Sequence, residues 1–161
     1  MKYSTQFLNI NTNQDHGRYE AAKQVVECRV DNAVYLPKRA NPTDAGADLR
    51  STEKLEIYPG ETKVVNTGVA VKIPQGYGGF VFNRSGQGKN GIIVLNGVGV
   101  IDSDYRGNIK IALKNISENR YQIEVGDRIA QLVIMPVILC DFVDSWNDTE
   151  RGTGGFGSTG K

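Results

Sequence analysis

The sequence predicts an all-β fold, a sandwich or barrel of short strands, on three observations. Apolar and polar residues alternate over short spans, as Val26, Cys28 and Val30 do with Glu27 and Arg29. That two-residue period belongs to a half-buried strand. Turn signals recur at roughly even spacing, at Pro59-Gly60, Asn66-Thr67-Gly68, Pro74-Gln75-Gly76, Asn96-Gly97 and Val125-Gly126-Asp127. Short strands punctuated this way make sandwiches and barrels. Finally, no stretch sustains a helical apolar period beyond two turns.

In chain order, residues 1–23 are polar and Asn-rich and read as an N-terminal extension, with one helical turn near Tyr19-Glu20-Ala21-Ala22. A β domain covers residues 24–143. Its first strand runs through Val26 and Val30. Pro37 to Gly46 is a polar loop, and Ala47-Asp48-Leu49-Arg50 resumes a strand. Leu55, Ile57, Val64, Val65, Val69, Val71 and Ile73 fall on short strands. Gly79-Phe80-Val81-Phe82 is the next strand and ends at Asn83-Arg84-Ser85-Gly86. Ile92 to Leu95 and Ile109 to Leu113 flank the stretch from Asn96 to Asn108. Asn-Gly between apolar strands signals a hairpin. Tyr121-Gln122-Ile123 leads to a turn, and Ile129 to Leu139 is a long apolar strand. Residues 144–161 form a C-terminal arm, acidic from Asp144 to Glu150 and then carrying five glycines between Arg151 and Gly160.

A chain of 161 residues suits one domain and can bury about 70% of its unfolded surface, so it needs no disulfide. The net charge of +1 is scattered, which argues against direct nucleic-acid or membrane-surface binding. The two cysteines, Cys28 and Cys140, have no metal-binding spacing and are expected to fill apolar space. The start, Met1 to Gln14, lacks the apolar core of a signal peptide. The run Leu132 to Leu139 is too short to span a bilayer. The expected location is cytoplasmic, or host cytoplasm for a viral chain.

A dinucleotide fold requires a strand before and a helix after its GxGxxG; of two formal matches, the one from Gly152 ends four residues from the C-terminus and the one from Gly86 runs into an apolar strand. No P-loop is present. Asp102-Ser103-Asp104 begins like a calcium loop, but Leu113 stands where the bidentate Glu belongs. The only histidine, His16, lies in the polar extension, so a histidine triad is excluded and any general base is a carboxylate. Asp102 follows the apolar pair Val100-Ile101, where burial and fixed orientation are expected. Its bland alternative is turn capping. Arg84-Ser85-Gly86 offers a guanidinium fork, a hydroxyl and a free backbone N–H to a pyrophosphate, although taken alone it reads as an ordinary strand-end arginine. Phe156 among glycines, with Arg151 before it, suits stacking and phosphate contact.

Five segments occur together: Asp44-Ala45-Gly46-Ala47-Asp48-Leu49, Arg84-Ser85-Gly86, Gly99-Val100-Ile101-Asp102-Ser103-Asp104-Tyr105-Arg106-Gly107, Gly126-Asp127-Arg128-Ile129-Ala130-Gln131-Leu132, and the arm from Arg151 to Gly160. In order and spacing they resemble the motifs of the trimeric dUTPase family. The resemblance implies a jelly-roll-like β-barrel or sandwich and a homotrimer with shared active sites. The C-terminal arm would close over a neighbouring subunit's site. It implies Mg²⁺-assisted hydrolysis of dUTP to dUMP and diphosphate, by attack of water on the α-phosphorus. That reaction limits uracil incorporation into DNA and supplies dUMP for dTMP synthesis.

Carried over position by position, Asp102 is the implied general base. Asn96, Gly99, Val100, Ile101 and Lys110 would read uracil, Tyr105 would pack under deoxyribose, and Phe156 would stack on the base. Arg84, Ser85, Gly86 and Gln131, with Arg151, Gly157, Ser158 and Thr159 of the arm, would bind phosphates. Asp48 would hold Mg²⁺ through water. Asn83 departs from the family, standing where Pro commonly precedes Arg-Ser-Gly, and Gln87 stands where an apolar residue is usual.

A dCTP deaminase shares the implied fold, but Ala112 occupies the position of its catalytic Glu. A regulatory protein-binding role, known in some family members, would use the extension over residues 1–23.

Overall fold

The computed structural model describes residues 25–150 together with Gly152 and Thr153. The extension, the helical turn near Tyr19, His16, Arg151 and the segment from Phe156 to Thr159 lie outside these residues.

The described chain is built almost wholly of short strands: β1 (Glu27–Val30), β2 (Ala47–Arg50), β3 (Leu55–Ile57), β4 (Thr62–Asn66), β5 (Val69–Lys72), β6 (Tyr77–Phe82), β7 (Ile92–Val94), β8 (Gly99–Ile101), β9 (Lys110–Asn115), β10 (Tyr121–Ile123) and β11 (Arg128–Pro136). The helical content is one five-residue turn, α1 (Ser85–Lys89), and a 3-10 turn over Ala33–Tyr35. The all-β expectation holds, and the architecture is a jelly-roll-like sandwich. The last apolar strand stops at Pro136, earlier than Leu139, because proline has no N–H to continue the ladder.

All strand pairs are antiparallel. One sheet runs β2-β11-β6-β8 and a second runs β4-β9-β7. The pairs β1-β5 and β3-β10 complete the fold. In β9, Ile111, Leu113 and Asn115 are buried while Lys110 is exposed and Ala112 and Lys114 are half-buried. The inward row meets Leu49, Ile57, Val65, Val69, Ile123 and Ile129 in one core. Each such aliphatic side chain contributes roughly 1.5–3 kcal/mol on burial, against roughly 1–2 kcal/mol per residue of backbone ordering. Strands this short hold because nearly every inward position is apolar.

The stretch from Asn96 to Asn108 is more than a hairpin loop. The expected flanking strands do pair, Val94 opposite Leu113 and Ile92 opposite Asn115. Between them the chain turns at Gly97 (φ 72°), where Gly97 N–H donates to the Val94 carbonyl at 2.9 Å. It then crosses to the other sheet and lays β8 against β6. The Asn-Gly turn therefore redirects the chain between sheets. Cys28 is half-buried, whereas Cys140 is exposed, contrary to the expected apolar packing. Cys140 follows the end of β11 and no strand holds it against the core.

Candidate active site

β8 is an edge strand, paired to β6 on one side through Gly79–Ile101, Phe80–Val100 and Val81–Gly99. Its other side presents backbone donors and acceptors outward. Gly99 fits because a Cβ there would already lie 3.3 Å from the Val81 Cβ. Past β8 the chain turns, with Tyr105 N–H donating to the Asp102 carbonyl at 3.2 Å. Arg106 Nη1 donates to the Ser103 and Tyr105 carbonyls at 2.7 and 2.9 Å and pins the loop. The Tyr105 hydroxyl donates to the Asn108 carbonyl at 3.1 Å, which draws the ring across Gly107. A Cβ on Gly107 would lie 2.7 Å from the ring Cζ, so only glycine leaves room.

These groups enclose a cavity of about 190 Å³ lined by Val100, Ile101, Asp102, Tyr105, Ile109 and Lys110. Asp102 also borders a broader groove of about 1040 Å³ that reaches Lys72, Phe80 and Leu139. The smaller cavity is the better candidate, because Tyr105 joins Asp102 and the end of β8 in its lining, whereas Tyr105 does not line the broader groove. Asp102 is exposed in the single chain, not buried as expected, because the turn carries it past the end of β8. Asn96 is exposed, and it and Gly99 lie outside the cavity lining.

A second constellation lies at the far end of the same sheet. Gln131 of β11 stands opposite both Asp48 of β2 and Phe82 of β6, so the three form one row. Arg84, just past β6, reaches back, its Nε 2.7 Å from Asp48 Oδ1. Arg128 Nη1 lies 3.3 Å from Asp48 Oδ2. Two guanidinium groups converge on this carboxylate, and their N–H groups suit an anion. Asp48, Arg84, Ser85 and Gln131 line a shared cavity of about 300 Å³ with Asp44 and Gly46. Gly46 is required there, since a Cβ would collide with the Gln131 carboxamide. Gly86 is exposed on α1, outside that lining.

Sequence reading did not assign Arg128 a role. Arg128 and Gln131 are three apart, and in a regular strand they would face opposite sides. The register shifts between Arg128 and Ala130, a bulge that returns both side chains to the Asp48 side. The adjacent buried pair Ile129-Ala130 breaks the two-residue alternation and is the sequence signal for it.

Ahead of Asp48, the Asp44 carboxylate accepts from Asn41 N–H at 2.8 Å and from Asn41 Nδ2. These bonds hold the Asp44 carboxyl below its ordinary value, the backbone N–H being the larger cause. No group of three or more His, Cys, Asp or Glu side chains among the described residues could cage a metal. Asp48 has each oxygen engaged by one guanidinium. A carboxylate oxygen has a second lone pair, so the donor set fits a cation held through water rather than by direct ligation.

The two constellations are offset along β6. Ile101, the residue before Asp102, stands opposite Gly79, and Asp48 and Gln131 align with Phe82. About 3.3 Å of rise per residue puts roughly 10 Å of β6 between those rows, before the sideways step across strands.

The family model for dUTPase matches residues 32–160. The deoxyuridine 5'-triphosphate nucleotidohydrolase of Corynebacterium glutamicum is 48% identical over 137 residues, 83% of this chain and 92% of that protein. The dUTPase of Staphylococcus bacteriophage 80alpha, solved with dUPNHPP, superposes with a TM-score of 0.76 at 32% identity, covering 86% of this chain and all of that one. A dUTPase of phage phi11 of S. aureus, described with a structural Mg(II) ion, superposes with a TM-score of 0.70 at 30% identity over 77% of this chain and 98% of that one.

Proposed function

The chain belongs to the dUTPase family, and from that membership we propose how its residues carry out the hydrolysis of dUTP to dUMP and diphosphate. The observation that carries the proposal is the 190 Å³ cavity where Asp102, Tyr105 and the free edge of β8 converge. Uracil presents acceptor, donor and acceptor in a row, which a strand edge can match. Backbone groups near Asn96, Gly99, Val100, Ile101 and Lys110 read it. Cytosine reverses part of that row, and a mispaired buried polar group costs about 1–3 kcal/mol. The Tyr105 ring lies under deoxyribose and leaves no space for a 2′-hydroxyl.

Asp102 takes a proton from water as the water oxygen bonds to the α-phosphorus. The bond from the α-phosphorus to the bridging oxygen breaks, and diphosphate leaves with that electron pair. A positioned base contributes roughly 10²–10⁴-fold. Arg84, Ser85, Gly86 and Gln131 hold the phosphate chain, and the two guanidinium groups converging at Asp48 support this. Arg151, Phe156, Gly157, Ser158 and Thr159, outside the described residues, complete it from the arm over residues 144–161.

Mg²⁺ is the expected cofactor, and Asp48 would hold it through water beside the substrate's phosphates. When bound it supplies charge neutralisation along the phosphate chain. The two halves are offset along β6, and on this reading one copy brings Asp102 and Tyr105 while another brings Arg84 and Gln131. That division supports a homotrimer with shared sites. A nucleotide-pool enzyme of this kind works in the cytoplasm, limiting uracil incorporation and supplying dUMP. No helix among the described residues is long and apolar enough to cross a membrane.

A substrate panel with Mg²⁺ tests the proposal. Diphosphate should be released from dUTP, with dCTP, dTTP and UTP spared. Asp102→Asn should abolish turnover and still bind nucleotide; full activity in that variant removes Asp102 from the base role.

A further inference from the structure

Two residues beside Arg84-Ser85-Gly86 have side-chain hydrogen bonds that the proposed chemistry does not use. Asn83 lies where the chain leaves β6 for α1. Its side-chain amide behaves like a piece of strand. Oδ1 accepts from Val94 N–H at 3.1 Å, and Nδ2 donates to the Ile92 carbonyl at 3.1 Å. Both partners belong to β7, an edge strand of the other sheet. The amide therefore clips the end of β6 across the gap between sheets. The Asn83 backbone carbonyl also accepts from Gln131 Nε2 at 2.9 Å. Gly88 leaves space for the clip, since a Cβ there would lie 3.1 Å from Asn83 Nδ2.

Gln87 is on α1, and only 5% of it is exposed. Its Nε2 donates to the Arg128 carbonyl at 3.0 Å, which Arg84 Nη1 also approaches at 3.4 Å. Its Oε1 is buried and has no partner among the described residues. A buried acceptor without a donor is destabilising. An apolar side chain of that size would serve the core better, so core packing does not account for a glutamine here.

We propose that Asn83 and Gln87 are positioning residues for phosphate binding. Together they fix α1 between β7 and the backbone of Arg128, so that Arg84, Ser85, Gly86 and Gln131 are preorganised for the diphosphate part of the substrate. The inference rests on the phosphate role proposed above for those four residues. Ordering a loop before binding lowers the entropic cost of binding, so the loss on removal falls on phosphate affinity. Neither residue reaches the cavity at Asp102 and Tyr105.

The test compares inhibition of dUTP hydrolysis by inorganic diphosphate and by deoxyuridine, in the full-length protein with Mg²⁺. The variants are Asn83→Ala, Gln87→Leu and, as a control, Arg84→Ala. Losing one such bond should raise the diphosphate inhibition constant by about tenfold and leave that for deoxyuridine unchanged. Gln87→Leu should melt at the same or a higher temperature, since it removes the idle acceptor. That separates positioning from simple stabilisation, and it keeps the test alive if Asn83→Ala folds poorly. Unchanged diphosphate inhibition in Gln87→Leu, with Arg84→Ala impaired, overturns the brace alone. Equal weakening of both inhibitors overturns it too. If Arg84→Ala also leaves diphosphate inhibition unchanged, the phosphate assignment fails and the brace fails with it.

Discussion

Replacing Gly107 with alanine should damage sugar selection while sparing the fold. The added methyl would start 2.7 Å from Cζ and 3.1 Å from Cε2 of the Tyr105 ring. Carbon atoms in contact sit about 3.5–4.0 Å apart, so the ring must retreat by close to 1 Å. That movement stretches the 3.1 Å bond from the Tyr105 hydroxyl to the Asn108 carbonyl, beyond the roughly 3.5 Å at which such a bond ceases to count. A displacement of about 1 Å at a positioning group costs on the order of 10²-fold in rate, near 2.7 kcal/mol. The expected outcome is a fall of about 10²-fold in kcat/KM for dUTP, with a smaller effect on UTP. The dUTP-to-UTP ratio therefore drops. Tyr105 is 44% exposed, so the melting temperature should barely move. Gly97→Ala is the converse control. Gly97 has φ +72° but nothing within 4 Å of an added Cβ, so backbone strain should lower stability and preserve the ratio. An unchanged ratio in Gly107→Ala would refute the reasoning, because it would mean the ring does not touch the sugar.

Mixing inactive Asp102→Asn with Arg84→Ala, which should keep weak activity, under conditions that exchange subunits should raise activity well above that of Arg84→Ala alone, since their defects lie in different halves of a shared site. A mixture that stays at the level of Arg84→Ala argues for a site within one chain. Asn115→Leu should destabilise by about 3 kcal/mol in urea titration, because it strands buried partners. In the native chain Asn115 Nδ2 donates to Ile57 and Asn119 carbonyls at 2.8 and 2.7 Å, and its Oδ1 accepts from Ser117 N–H at 2.9 Å. The Asp44 loop should loosen in acid. Its folded value is lowered from the unfolded 3.8, so its contribution is full above that pH and is lost as pH falls through the folded value. Asp44→Asn should flatten the acid limb of a stability-versus-pH curve, and an unaltered limb would remove the loop from acid unfolding.

The strands were legible because the signal for each is local and periodic. Ile111 and Leu113 between lysines say which face of β9 is inward, and the structure agrees. The Asn96-Gly97 turn was legible too, but its destination was not. Positive φ at Gly97 follows from one residue, whereas joining β8 to β6 depends on a pairing with Gly79–Val81, distant in sequence. The members of the phosphate cluster could be named only through the family resemblance of their motifs, and the Arg128 contribution needed a bulge that breaks the strand period. The roles of Asn83 and Gln87 were hidden because both act on backbone groups of other elements, which no local pattern marks.

The free edge of β8 has a consequence for solubility. A row of unpaired backbone groups invites strands from other molecules. The opposite edge of that sheet is partly covered, through a bridge from Lys38 to Asp48. β8 is protected instead by brevity. Its three residues end at a left-handed glycine turn on one side and at Asp102 and Asp104 on the other. Fibril-forming segments run to about six or seven residues of low charge. On the proposed reading of the site, the bare edge is long enough to face uracil's row of three polar atoms and too short to seed a fibril.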